Sequence, residues 1–173
     1  SGLTVVAMGG NSLIDPDLPP TVGNQFAVTA RAVVPVADFV ERGGKVVLTH
    51  GNGPQVGFQV LQNELARDEV EELPLDSLVA NTQGSIGYML QRALREELRR
   101  RGMQFQVVSL ITEVEVDPDD HAFEEPTKPI GRFYSREESE QLSARRGWRM
   151  VEDSGRGYRR VVPSPAPVRV VQT

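Results

Sequence analysis

The sequence predicts an α/β fold in which the strands of a parallel sheet alternate with helices. Two short apolar runs rich in β-branched residues, at 3–8 and 45–49, each lead into a turn of glycine and asparagine, as expected for strands buried on both faces. Helical periodicity follows each turn, so the repeated unit is strand, turn and helix. Such units need right-handed crossovers, which place ligand sites at the carboxyl ends of the strands. We therefore expect functional residues in these two turns.

Length and composition describe a mildly acidic chain without cysteine. Its 173 residues suffice for one domain with a sizeable core, and 19 basic against 24 acidic side chains give a net charge of −5, which argues against a nucleic-acid partner. The lack of cysteine excludes disulfides and thiolate chemistry and predicts a reducing, cytoplasmic location. No segment reaches the roughly 20 apolar residues of a membrane span, so we expect a soluble protein without a membrane partner.

The first two thirds of the chain supply the predicted α/β elements. Residues 25–42 carry apolar side chains at three- and four-residue spacing, which predicts an amphipathic helix kinked near Pro35. A second helix is expected over 55–67, after Pro54. Residues 75–101 predict one long helix or two abutting helices, ended by Gly102. Residues 105–116 begin as a third buried strand and continue with alternating polar residues.

From Asp117 onward the chain becomes rich in charge, proline and glycine, which predicts a small inserted subdomain over 117–162. Within it, Ser135 and Glu138 form the capping box of a helix that ends at Gly147. Residues 148–153 and 158–162 flank a glycine-containing turn and predict a β-hairpin. Residues 163–167 form a stiff linker, and 168–171 begin a further element. Because three parallel strands make a narrow sheet, we expect residues 1–116 to be part of a larger domain.

The two turns are the first candidates for a binding site: Gly9, Gly10 and Asn11 in one, and Gly51, Asn52 and Gly53 in the other. Glycines in such turns expose backbone N–H groups and tolerate positive φ, which suits the binding of an anion. Turn geometry alone also explains these residue types. Neither turn matches the glycine-rich motif of dinucleotide-binding proteins or the P-loop.

Four further features allow a functional and a simpler interpretation. Lys128 is one of two lysines beside 17 arginines and lies in a predicted loop with Pro129 and Gly131, where its ammonium group could face a phosphate or only water. His50 is a candidate base or a hydrogen-bonded structural histidine. The third feature is an acidic group that could bind a cation or cap local turns, and it consists of Asp117, Asp119 and Asp120. The fourth is a basic group that could bind an anion or face solvent, and it consists of Arg156, Arg159 and Arg160.

Taken together, five segments resemble those of carbamate kinases. They are VVAMGGNSL at 5–13, THGNGPQVG at 49–57, TQGSIGY at 82–88, KPIG at 128–131 and GRGYRRVVPSP at 155–165. The resemblance runs along essentially the whole chain but covers only somewhat more than half of such an enzyme. Ser12, Ser85, Glu113 and Arg132 depart from the usual family residues, and none of them removes a proposed ligand group.

The resemblance implies the amino acid kinase fold, a three-layer sandwich with a mostly parallel sheet, here incomplete, and a protruding α+β subdomain at 117–162 that acts as a lid. Residues 163–173 would then lead into a C-terminal part that holds most of the nucleotide pocket. It implies reversible phosphoryl transfer between ATP and carbamate with Mg²⁺, giving ADP and carbamoyl phosphate, often in arginine breakdown, by a homodimer. Lys128 would be catalytic, and a set of turn residues would bind substrate: Gly9, Gly10, Asn11, Gly51, Asn52 and Gly53.

Two other functions remain open from the sequence. The chain could be a truncated, non-catalytic relative that binds a small anion or a partner chain through its unfinished sheet. It could also belong to another kinase of the superfamily that forms acyl phosphates, which the KPIG and GRG segments disfavour. A coupled assay for ATP formation from ADP and carbamoyl phosphate separates these possibilities.

Overall fold

The computed structural model describes residues 2–15, 17–19 and 21–173, without the side chains of Asn11 and Ser12. Short 3-10 helices lie at Gly10–Leu13 and His121–Phe123. The strands are β1 Leu3–Met8, β2 Lys45–His50, β3 Glu113–Val116, β4 Lys128–Tyr134, β5 Met150–Glu152, β6 Tyr158–Val162 and β7 Pro167–Gln172. The helices are α1 Val22–Ala32, α2 Val34–Glu41, α3 Gly53–Ala66, α4 Leu75–Arg100 and α5 Arg136–Arg146.

These elements form two compact units. The first consists of Ser1–Asn52 and Val79–Leu110, and the second of Gly53–Leu78 and Ile111–Thr173. The fold is therefore mixed α/β, as expected, with helices and strands in both units. Within the described residues, no helix is both long enough and apolar enough to span a membrane.

The first unit contains the predicted parallel strand pair. β1 and β2 are in register from Leu3 opposite Lys45 to Met8 opposite His50. The core of this unit lies among α1, α2, α4 and the 3-10 helix, and its most deeply buried side chains include Leu13, Val33, Ile86 and Leu98. Met8, Val46 and Leu48 pack against this core from the strands.

The prediction that β1 and β2 are buried on both faces is wrong. Along β2, partly buried and exposed residues alternate, and Leu3, Val5 and Val47 are exposed by 65, 64 and 43%. The strands pair with each other, and only one face of the pair packs against the described core. A continuous apolar run indicates that a strand can be buried on both faces, but its actual burial depends on which other segments pack against it.

The helices of the first unit follow the sequence closely. The predicted kink near Pro35 is a break at Val33, because α1 ends there and Pro35 occupies the first turn of α2. Residues 75–100 form one continuous helix, α4. Gly102 ends it in the left-handed conformation, with φ at +78°, as the glycine at this place predicts.

The third buried strand is a second error of the sequence analysis. Residues 104–112 adopt no regular secondary structure, and only Glu113–Val116 forms a strand. Val107 packs against the core of the first unit, while Phe105, Val108 and Leu110 are more than half exposed. The apolar residues of this segment have no paired strand among the described residues, so their composition alone does not produce a sheet.

The second unit is built on antiparallel sheets. The predicted hairpin is confirmed as β5 and β6, and the helix with its capping box is confirmed as α5, with Gly147 in the left-handed conformation. The sequence analysis missed β4, which pairs with β6 and completes a three-stranded sheet in the order β4, β6, β5. The segment after the linker forms β7, which pairs with β3.

Candidate functional site

The turns after β1 and β2 lie side by side in the first unit. The N–H group of Gly51 donates a hydrogen bond of 2.9 Å to the carbonyl oxygen of Met8, which extends the parallel ladder by one residue. A Cβ atom on Gly51 would lie 3.2 Å from the backbone nitrogen of Gly10. Parallel pairing in register thus brings the glycines of both turns to the same edge, as the sequence predicts.

The physical reason for glycine in these turns differs from the expected one. Gly9, Gly51 and Gly53 do not adopt positive φ. The N–H group of Gly51 already donates to the carbonyl oxygen of Met8, so it is not available to bind a ligand. What Gly51 contributes is the space left by its missing side chain. At Gly51, the absence of a side chain permits the close approach of the Gly10 backbone, and a larger residue would press the two turns apart.

Asn52 is held by a residue that the sequence analysis did not single out. Its side-chain nitrogen donates a hydrogen bond of 2.7 Å to the hydroxyl oxygen of Thr82, and that hydroxyl donates one of 2.6 Å to the carbonyl oxygen of Val79. Thr82 is fully buried in α4. The available signal was the TQGSIGY segment, which begins at Thr82. This pair fixes the amide of Asn52 at the end of β2. The side chain of Asn11 lies outside the described residues.

His50 fits the structural interpretation rather than that of a base. Its ring nitrogen Nδ1 lies 3.3 Å from the carbonyl oxygen of the adjacent Gly51, a hydrogen-bonding distance. The side chain thus engages the turn that it precedes.

In the second unit, Gly53 begins α3, and Pro54 follows in the first turn of the helix, where proline is favoured. Helix α3 packs very closely on β4. A Cβ atom on Gly57 would lie 2.0 Å from the Cα atom of Gly131, which itself has φ at +76°. This pair of glycines allows the backbones of a helix and a strand to touch, which explains the close docking of β4 on α3.

Lys128 is the first residue of β4 and not part of a loop, which corrects the sequence analysis. Its backbone lies opposite Val162 of β6, and its side chain is exposed. The proline and glycine that suggested a loop lie within β4, where the pairing with β6 is irregular between Ile130 and Tyr134. Because pairing with β6 fixes the backbone of Lys128, its exposed ammonium group extends from a rigid strand. The expectation that this group meets the two turns of the first unit stays a prediction.

The three arginines of the basic group differ from one another, and of Arg156, Arg159 and Arg160 only Arg156 remains largely exposed. Arg159 is 8% exposed, and its Nη1 atom donates a hydrogen bond of 3.1 Å to Asp153. This guanidinium group is the main cause that holds the pKa of the Asp153 carboxyl below its ordinary value. The interpretation as a solvated hairpin face is therefore wrong for Arg159.

Arg160 is also not a solvated side chain, because it pairs with Glu64 of α3. The same carboxylate accepts hydrogen bonds of 2.9 Å from Nη1 of Arg146 and from the indole nitrogen of Trp148. Glu64 is only 14% exposed and joins α3 to the segment around β5 and β6. Sequence reasoning missed it, since its partners lie more than 80 residues away.

Two of the three acidic residues near 117, Asp117 and Asp120, cap local backbone N–H groups, as the simpler interpretation expects, and Asp120 also binds a distant one. Asp117 accepts a hydrogen bond from the backbone of Asp119, and Asp120 accepts from the backbones of Ala122 and Ala166. These two backbone donors lower the pKa of Asp120. Within the described part of the chain, no group of three or more histidine, aspartate or glutamate residues is placed to hold a metal ion.

Comparison with known proteins gives one consistent result. The chain is 48% identical to carbamate kinase 2 of Enterococcus faecalis over 171 residues and 47% identical to the carbamate kinase of Trichomonas vaginalis over 169 residues. These matches cover 98 and 97% of the chain. The chain belongs to the carbamate kinase family. It spans about half the length of these relatives, 54% in both cases.

Solved structures of carbamate kinases agree with this assignment. The carbamate kinase of Giardia lamblia bound to citric acid matches with a TM-score of 0.91 and 39% identity, over 98% of this chain and 55% of that one. The same Giardia enzyme bound to AMP-PNP matches with a TM-score of 0.78 over 98% of this chain and 54% of that one. No family model matches the chain.

Proposed function

We propose that the protein to which this chain belongs is a carbamate kinase, which transfers a phosphoryl group reversibly between ATP and carbamate. The observation that carries the proposal is the close approach of the turns that contain Gly10 and Gly51. Both turns lie in segments that resemble those of the family, and the chain is 48% identical to a carbamate kinase. In the ATP-forming direction, the bond between phosphorus and the carbamoyl oxygen breaks. An oxygen of ADP forms the new bond, and carbamate leaves with the electron pair.

Substrate binding is proposed for the residues of the two turns: Gly9, Gly10, Asn11, Gly51, Asn52 and Gly53. The side chain of Asn52, held by Thr82, supplies a fixed amide at this edge. Gly51 keeps the edge free of side-chain atoms. Fixed dipoles and small residues allow an anion to approach the backbone closely, which positions it without reorganisation during the reaction.

Lys128 is the proposed catalytic residue. Carbamate is already an anion, so its oxygen needs no general base to attack phosphorus. The barrier comes from repulsion between anions and from the charge on the transferring phosphoryl group, which a lysine ammonium offsets. The exposed side chain of Lys128 on a rigid strand suits this role, and residues 117–162 are proposed to act as the protruding lid that carries it.

The rest of the proposal follows the family. Because the Giardia relative binds AMP-PNP, we propose ATP and ADP as the nucleotides, with most of their pocket in the part of the relatives that this chain does not span. Mg²⁺ in kinase sites is commonly held by phosphate oxygens together with one or two carboxylates, so we propose that it accompanies the nucleotide. We also propose that the longer protein completes the three-layer sandwich and forms a homodimer. Its proposed location is the cytoplasm, and its proposed role is in arginine breakdown.

The test is an ATP-forming assay with ADP and carbamoyl phosphate. It is run on this chain and on the longest product of the gene that carries it. We expect ATP formation by the longer product and little by the chain alone, since the family places the nucleotide pocket beyond it. If no product forms ATP while carbamoyl phosphate still binds, the chain is a non-catalytic relative and the proposed function is wrong.

A further inference from the structure

Arg159 has more hydrogen-bonding capacity than the described protein uses. The residue is 92% buried, since only 8% of its surface is exposed. Its Nη1 atom donates to Asp153, whereas its Nε atom is buried and has no hydrogen-bond partner among the described residues. A buried donor without a partner destabilises the folded chain, so packing alone does not explain an arginine at this place.

The guanidinium group faces the beginning of α3. Its Nη2 atom lies 4.0 Å from the position that a Cβ atom on Gly53 would occupy. Within a guanidinium group, the N–H bonds of Nε and Nη2 point to the same side, so they form an edge of two parallel donors. This edge matches two oxygens of a phosphate or carboxylate group.

The charges around Arg159 favour an anion. The positive end of the α3 dipole lies at Gly53, where a cation without a counter-ion is disfavoured. Asp153 is the acid that pairs with Arg159, and it also lies 3.6 Å from Arg156. One carboxylate thus serves two guanidinium groups. The ring of Phe133 lies against both arginines, with its centre 5.1 Å from the Cζ atom of Arg159 and 4.7 Å from that of Arg156, and this contact helps to fix the plane of the buried one.

The geometry points to Arg159 as a substrate-binding residue that holds two phosphoryl oxygens of carbamoyl phosphate at the start of α3, through its Nε and Nη2 atoms. This inference rests on the proposed function and adds a residue to it. An anion there would satisfy the buried Nε donor, complement the α3 dipole and balance the excess positive charge. Arg159 would therefore act beside Gly53 as a donor with fixed orientation, whereas an ammonium such as that of Lys128 is a point charge.

The decisive variant is Arg159→Lys in the longest product of the gene. Lysine keeps the charge and the pairing with Asp153 but lacks the edge of two donors. We expect the KM for carbamoyl phosphate to rise about 10- to 100-fold, which corresponds to the loss of a hydrogen bond to a charged group, while the KM for ADP stays unchanged. The control is Arg156→Lys, on the same hairpin and against the same ring, which leaves both constants unchanged.

A binding measurement separates this inference from the proposed function. Inorganic phosphate should raise the melting temperature of the unaltered protein and of Arg156→Lys, and it should fail to protect Arg159→Lys. If no product forms ATP but this pattern is seen, the proposed function is wrong and Arg159 still binds the anion. If Arg159→Lys folds with unaltered phosphate protection and unaltered KM, the inference is wrong. A lower melting temperature with full phosphate protection would show that Arg159 is only structural.

Discussion

The two lysines of the chain stand at equivalent places in two strands, which provides a controlled test at the scale of one residue. Lys128 is the first residue of β4 and Lys45 the first residue of β2, and both side chains are exposed. The strands hold both residues by their backbones. Removal of either side chain should therefore leave the fold intact, and only a catalytic role distinguishes them.

We expect Lys128→Ala to lower kcat for ATP formation by roughly 10²–10³, the range for the loss of one preorganised charge-stabilising group. Its melting temperature should stay close to that of the unaltered protein. Lys45→Ala should change neither quantity, because Lys45 lies at the end of β2 opposite to the glycine turn. Equal kcat values in the two variants would remove Lys128 from the mechanism.

The sequence defines local features of the site better than its long-range contacts. The glycines and asparagines of the two turns stand in the sequence itself, and parallel pairing predicts that the turns meet. The attachment of Asn52 to Thr82 joins residues 30 apart, and that of Arg160 to Glu64 joins residues 96 apart. No local pattern encodes such pairs, so only the folded chain shows them.

At the scale of elements, the docking of α3 on β4 depends on two glycines. A Cβ atom on Gly57 would lie 2.0 Å from the Cα of Gly131 and 2.1 Å from its nitrogen, and backbone atoms cannot move away as a flexible side chain can. We expect Gly57→Ala to lower the free energy of unfolding by about 1–3 kcal/mol or more, the range for overpacking. Denaturant unfolding measures this change.

The matched control is Gly84→Ala, a glycine in the middle of α4 where an added methyl group would meet no neighbouring atom within 4 Å. Alanine favours a helix over glycine, so this variant should be more stable by about 0.5–1 kcal/mol. Opposite signs in the two variants are expected. A stabilised Gly57→Ala would show that α3 and β4 do not touch in solution.

The end of α4 is held to α2 by an ion-pair network. Glu97 accepts hydrogen bonds from Arg100 and Arg101, and Arg101 also donates to Asp38 and Glu41. The bonds from Arg100 and then Arg101 lower the pKa of Glu97 from 4.5 to about 2. Its carboxylate therefore stabilises the folded chain fully above pH 4.5, and this contribution is lost as the pH falls towards 2.

Replacement of Glu97 should change how stability depends on pH. We expect Glu97→Gln to be less stable than the unaltered chain above pH 4.5, with the difference in melting temperature narrowing as the pH falls towards 2. The neighbouring Glu96 forms an exposed pair with Arg92, so Glu96→Gln should have a small effect at any pH. A difference for Glu97→Gln that does not depend on pH would contradict the role of its charge.

Elements are predictable where short-range chemistry determines them. Ser135 and Glu138 begin α5, and Gly147 and Gly102 end α5 and α4, because caps involve residues within one helical turn. The strand predicted from residue 105 and the burial of β1 failed for the opposite reason. A strand needs a partner strand to pair with, and a buried face needs another segment to cover it. The residues of the strand itself do not show where these segments lie.

At the scale of the whole molecule, the first unit leaves several apolar side chains exposed: Leu3, Val5, Val47, Phe105, Val108 and Leu110. The chain also spans only about half the length of the carbamate kinases that it matches. We propose that residues of the longer protein cover these side chains. Leu3, Val5 and Val47 lie on the same face of the paired strands β1 and β2, because alternate residues of a strand point to one side. Contiguous apolar surface of this kind is uncommon on isolated soluble chains and usually marks an interface.

The proposed cover can be tested with one substitution in two contexts. In the 173-residue chain, Val5 is 64% exposed, so Val5→Ala should change the free energy of unfolding by less than about 0.5 kcal/mol. In a longer product that covers β1, the same change removes buried methyl groups and should destabilise by about 2 kcal/mol. Val22, exposed by 67% at the start of α1, serves as the control. Denaturant unfolding of Val22→Ala should show a small effect in both contexts, and an equally small effect of Val5→Ala in both would mean that β1 stays uncovered.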